Sequence, residues 1–123
     1  METIFLVGRI LLGGYFVYAA YNHFKNLKGL TAYASSKKVP MARESVVVTG
    51  VMLFAGGATI LTGVAVIVGL WVLVAFLLIA SFSMHAFWKH PAGMERMNDE
   101  INFTKNMALV GALLVIIALV MVG

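Results

Sequence analysis

Residues 45–87 read SVVVTGVMLFAGGATILTGVAVIVGLWVLVAFLLIASFSMHAF, without a single Asp, Glu, Lys or Arg. As one helix this stretch would be about 65 Å long, roughly twice the thickness of bilayer hydrocarbon. It must therefore fold back on itself. The natural break is Thr62-Gly63, because glycine accepts the positive φ that ends a helix. This gives spans at residues 45–62 and 64–87, with Pro91 and Gly93 terminating the second.

Working outward, residues 4–21 are apolar except for Arg9, and residues 104–122 are apolar throughout except for Thr104, Lys105 and Asn106. Each stretch approaches the roughly 20 residues a transmembrane helix needs. The expected fold is all-α: an integral membrane four-helix bundle forming a single domain over residues 1–123, with short loops. Composition agrees. The chain is 62% hydrophobic and 11% charged, against about 45–50% and 25% in soluble domains, and its mean hydropathy is +0.98. A soluble fold of this length has too little interior to hide so much apolar surface. An ordinary soluble enzyme, a disordered chain and a nucleic-acid-binding domain are thereby excluded. The first span resembles a signal peptide only superficially. It has no basic n-region and no small-x-small cleavage site, and it reads as a retained helix.

Eight of the nine basic residues lie in or beside two polar segments, residues 22–44 and 89–102, on the same side of the four spans. The positive-inside rule places both segments in the cytoplasm, with both termini outside; the expected location is a prokaryotic plasma membrane. Within the first segment Leu27, Leu30 and Tyr33 recur at helical spacing, predicting a short interfacial helix that Pro40 ends. Met94, Met97 and Ile101 recur similarly in the second. That segment is read either as a solvated loop or as one that lies along the membrane or packs under the bundle. Gly13-Gly14, Gly56-Gly57, and Ala108 with Ala112 read as sites of close helix packing or of contact with a second copy.

There is no cysteine, which removes disulfides, thiol catalysis and cluster ligation by thiolate. The informative residues are the polar ones near or within lipid. One membrane face gathers Asn22, His23 and Lys25 from the first span, His85, Trp88 and His90 from the third, and Lys105 and Asn106 from the fourth. Three readings compete. The first is structural: Trp and Lys anchor the interface while His and Asn tie helices together. The second is a quinone-like or lipid headgroup site, with His and Asn bonding the carbonyls and Phe87 and Trp88 packing the ring. The third is a b-type haem between His23 and His85, for which two histidines at matching depth are too unspecific a signal. Scattered histidines without cysteine argue against structural zinc, so no metal ligand and no catalytic residue are assigned. The candidate ligand-binding set is Asn22, His23, Lys25, His85, Trp88, Lys105 and Asn106.

Arg9 is the one charge well inside a span, and no acidic residue is expected inside any helix. Unpaired in hydrocarbon it would cost about 2.5–3.5 kcal/mol. Its available partners are Thr59, Thr62, the last carbonyls of the second span, the Gly123 carboxylate and a lipid phosphate. Snorkelling combined with helix-end capping is the favoured reading, and a counter-ion for an acidic ligand is the alternative.

These residues resemble the DoxX family of small membrane proteins, which groups with DoxD-like and MauE-like proteins. The first span reads Arg9-Ile-Leu-Leu-Gly-Gly-Tyr-Phe and ends Asn22-His-Phe-Lys25; Tyr33, Val39-Pro40, Gly56-Gly57 and Gly63 follow. The most specific parts are Phe82-Ser-Met-His85-Ala-Phe87-Trp88 and Phe103-Thr-Lys105-Asn106-Met-Ala-Leu-Val-Gly111. The similarity runs over nearly the whole chain. Where many relatives carry an acid shortly before the Gly-Gly pair, this chain has Leu53 and Phe54, so a proton-linked role through that acid is not implied. The resemblance implies a four-helix membrane fold and a link to redox systems, such as a quinone-reducing oxidoreductase subunit or an oxidative-stress complex. It supplies no established catalytic set. The function expected is an integral membrane accessory subunit of a redox or respiratory system; the alternative is a non-catalytic assembly factor or interaction scaffold. The expected partners are the lipid bilayer, a membrane redox complex or a second copy, and not nucleic acid. No cofactor is assigned; quinone is the cofactor class the reading admits, and haem is disfavoured.

Overall fold

The computed structural model describes residues 1–123, and every regular element is helical. The order is α1 (Glu2–Lys25), α2 (Leu27–Ser36), α3 (Ala42–Thr62), α4 (Val66–Met84), a 3-10 turn (Phe87–Lys89) and α5 (Met94–Val122). Four of these, α1, α3, α4 and α5, are long and apolar enough to cross a membrane. The chain is an integral membrane helical bundle. Its outward faces carry Phe5, Leu11, Phe54, Val68, Ile79 and Leu119, all exposed. Such surfaces are stable against acyl chains and not against water.

Helix ends follow local chemistry. Glu2 in the first turn of α1 and His23 and Lys25 in its last turn both complement the helix dipole. Gly63 ends α3 at φ 76°, and its N–H donates to the Thr59 carbonyl, as its place after an apolar run predicts. The reversal is tight: α4 begins three residues later, after Ala65 at φ 53°. The span expected from residue 64 thus starts at Val66.

The long helices pack in the order α1, α3, α4, α5, and α2 lies against α3 and α1. Glycines let the backbones meet. A Cβ added to Gly57 would stand 2.8 Å from the Gly13 carbonyl oxygen, and one on Gly13 would stand 3.0 Å from that of Gly57. On the other side of α3, a Cβ on Gly69 of α4 would collide with the Thr59 side chain. The core between these contacts holds Phe16, Leu53, Leu70, Leu73 and Leu113.

The larger departures from expectation lie at the end of α4 and the start of α5. The third span was expected to run to residue 87, but α4 stops at Met84 and His85 leaves helical geometry at φ −123°. Phe87–Lys89 then forms the 3-10 turn that carries Phe87 and Trp88 into an aromatic cluster. The polar residues 94–102, offered as a loop or a separate segment, instead form the first turns of α5, continuous with the span. Charge density marks where a helix leaves lipid, not where it stops being a helix. The interfacial helix of the first polar segment is present as α2, and it ends at Ser36, ahead of Pro40.

Candidate functional site

The basic face carries two adjoining concavities. One is a groove of about 180 Å³, lined by Tyr15, Phe16 and His23 of α1, Phe76 of α4, His85, and Asn102, Lys105 and Asn106 of α5. The other is a polar cleft of about 930 Å³ between the end of α2 and the start of α5. Only the first was anticipated.

In the groove, the His23 Nδ1 lies 3.0 Å from the Ala19 carbonyl oxygen one turn back. A carbonyl can only accept, so Nδ1 carries the proton and Nε2 is the acceptor of the neutral ring. The ring packs edge-on to Phe76 at 6.1 Å. Asn106 is 8% exposed, and Lys105 takes part in none of the chain's salt bridges. The groove thus combines one ring acceptor with amide and ammonium donors beside aromatic walls.

The remaining candidates lie elsewhere. Asn22 accepts a bond from the Asn26 side chain at 3.1 Å, at the α1–α2 junction. Lys25 is exposed, with Nζ 5.6 Å from the centre of the Tyr21 ring. Trp88 packs against Phe82, Phe87 and Phe103 with ring centres 5.3–5.8 Å apart. That cluster pins the 3-10 turn to α5 and leaves Trp88 and Phe87 outside both concavities. The structure therefore brings together His23, His85, Lys105 and Asn106 and does not bring Asn22, Lys25 or Trp88 to them.

His85 joins the two concavities. It lines the groove, while its Nδ1 lies 3.3 Å from Oδ1 of Asp99. Asp99 is the principal residue missed by sequence reasoning, and it overturns the expectation of no acid inside a helix. It lies within α5 and is only 3% exposed. Its other oxygen, Oδ2, accepts from Lys37 Nζ at 2.6 Å and lies 3.1 Å from His90 Nε2. Glu95 Oε1 stands 3.7 Å from His90 Nε2 and 4.0 Å from Lys37 Nζ. Burial alone would lower the Lys37 pKa, but its bond to Asp99 and the nearby charges of Tyr33, Asp99 and Glu95 outweigh that and hold it above the usual lysine value. The signal was present in the helical phase. The buried residues of α5 are Asp99, Asn106, Val110, Leu113 and Ile117, and following that stripe back two turns from Asn106 lands on Asp99.

Arg9 lies at the opposite face. Its Nε donates to the Ile60 carbonyl and its Nη2 to the Leu61 carbonyl, both at 3.0 Å. These are orphan carbonyls of the last turn of α3, so the guanidinium caps a neighbouring helix.

Fold and site together define a small helical membrane protein with a polar face at one end of its bundle. The DoxX family model matches residues 4–86, and the chain belongs to the DoxX family. The matched region includes Arg9, His23, Lys37 and His85 and stops short of α5, so Asp99, Lys105 and Asn106 lie beyond it. No curated protein and no solved structure matches the chain.

Proposed function

We propose that this chain is an integral membrane accessory subunit of a redox or respiratory system whose groove takes the headgroup of a quinone-like ligand. The observation that carries the reading is the donor and acceptor set of the groove: His23 Nε2 as acceptor, Lys105 and Asn106 as donors. A quinone carbonyl needs donors and a quinol hydroxyl needs an acceptor, and this groove offers both. Its volume of about 180 Å³ is below the roughly 300–1,000 Å³ of sites that enclose a whole small molecule. It suits a ring whose apolar tail stays among acyl chains. Phe16 and Phe76 supply the apolar walls, and Phe87 and Trp88 do not line the groove.

The charge asymmetry supports an orientation in which α2 and the start of α5 face the cytoplasm and both termini lie outside. A reporter fused after Gly123 is then inaccessible from the cytoplasm; labelling from that side reverses the assignment.

The ligand is tested by extracting the protein natively in polymer-bounded nanodiscs and identifying co-isolated lipid and protein by mass spectrometry. Quinone retained by the wild type and reduced at least tenfold in Asn106→Leu is the expected result. Absence of quinone, with an unrelated client protein co-isolated, replaces this reading with the assembly-factor one.

A further inference from the structure

The cleft beside α2 uses none of the groove's ligand chemistry, yet it holds the densest set of metal-ligating atoms in the chain. His90 Nε2, a Glu95 carboxylate oxygen and an Asp99 carboxylate oxygen all lie within 4.8 Å of one another. His90 Nε2 stands 3.1 Å from Asp99 Oδ2 and 3.7 Å from Glu95 Oε1. Ligands at about 2.0–2.2 Å from one tetrahedral ion stand roughly 3.3–3.6 Å apart. The three atoms therefore need only small rotations to share an ion, and Glu95, with its side chain 69% exposed, is free to make them.

We infer that this cleft is a binding site for a divalent first-row transition metal, with His90, Glu95 and Asp99 as ligands. Four features of the structure argue for it. One imidazole and two carboxylates, without a thiolate, form a set that suits ions such as Zn²⁺ or Mn²⁺ and disfavours Cu(I). His85 bonds the Asp99 oxygen that is not a ligand, at 3.3 Å, which fixes the carboxylate's orientation as metal sites commonly require. The cleft of about 930 Å³ gives the ion a path in and leaves room for water or a small anion as a further ligand. The position also already holds a cation. Lys37 Nζ sits 2.6 Å from Asp99 and 4.0 Å from Glu95.

Lys37 follows the last residue of α2 and ends a flexible four-carbon stem, so its ammonium can withdraw toward the open cleft when an ion enters. The metal and the ammonium compete for the same carboxylates, and Lys37 sets the affinity instead of forbidding binding. The inference does not depend on the quinone reading, because none of the three ligands lines the groove.

The test uses the full chain in detergent, purified without a polyhistidine tag and titrated with Zn²⁺ alone by calorimetry. The wild type is expected to take one Zn²⁺ per chain. His90→Gln should weaken uptake at least tenfold. It leaves the Lys37–Asp99 pair in place, so the variant stays folded, as unchanged circular dichroism would verify. Lys37→Met should tighten uptake at least tenfold by removing the competing cation. Uptake that His90→Gln leaves unchanged overturns the inference. So does failure of both wild type and Lys37→Met to bind, or uptake confined to Lys37→Met, which would make Lys37 the permanent occupant.

Discussion

Arg9 stands where a lone guanidinium would cost about 2.5–3.5 kcal/mol or more in hydrocarbon, and two carbonyls at the end of α3 remove the penalty. The arrangement is reciprocal, since those carbonyls have no partner within their own helix. The fork shape of arginine matters here: Nε and Nη2 reach adjacent carbonyls at once, while a lysine ammonium is a point donor. Arg9→Lys should therefore keep the charge and lose one bond, lowering thermal stability in detergent by about 1 kcal/mol. Arg9→Leu leaves both carbonyls unmet and should cost more. Equal stability of all three proteins would refute the capping role. That Arg9 needs a partner was legible from its position in an apolar run. That the partners are Ile60 and Leu61 depends on how α1 crosses α3.

At the scale of elements, two contacts hold the arrangement that positions the site. The first is the α1–α3 crossing at Gly13 and Gly57. A methyl at Gly57 meets the Gly13 carbonyl and the Val17 backbone nitrogen within 3.0 Å, and backbone cannot rotate away as a side chain can. Gly57→Ala is expected to cost about 1–3 kcal/mol. Gly14→Ala, where a Cβ meets nothing within 4 Å, should change stability by no more than about 0.5 kcal/mol. Parallel melting curves followed by circular dichroism check the pair. The sequence marked both glycine pairs as packing sites without saying which member faces a helix.

The second contact is the tie between α2 and α5 through Lys37 and Asp99. Asp99→Ala leaves the Lys37 ammonium half-buried beside a lost counter-charge, with an expected cost on the order of 3 kcal/mol, at the low end for breaking a buried pair because the cleft admits water. The loss should be local. Amide exchange should rise across residues 27–39 and stay unchanged in α4; uniform exchange throughout would show that the tie does not hold α2. The sequence left residues 94–102 open between a solvated loop and a helical segment, so nothing in it required Asp99 to have a partner. A carboxylate in a loop needs no partner, whereas one on the inward stripe of a helix does.

Across the whole molecule, apolar surface is spread around every long helix, and polar chemistry is confined to the two ends. Arg9 secures one end. The other holds the groove with His23, Lys105 and Asn106, and the cleft with Lys37, His90 and Asp99, with His85 between them. The sequence by itself determined the solvent, the number of spans, the break at Gly63 and the face on which polar residues collect. All of these follow from runs of apolar residues long enough to cross a bilayer and from the distribution of charge between them. Which polar residues meet was decided only by the tertiary structure. Lys37 and Asp99 are 62 residues apart, and their contact depends on α3 and α4 returning the chain to the face where α2 left it. Local periodicity reports which side of a helix is buried, but a partner on another helix is set by the packing of backbones at Gly13, Gly57 and Gly69, which no single stretch of sequence contains.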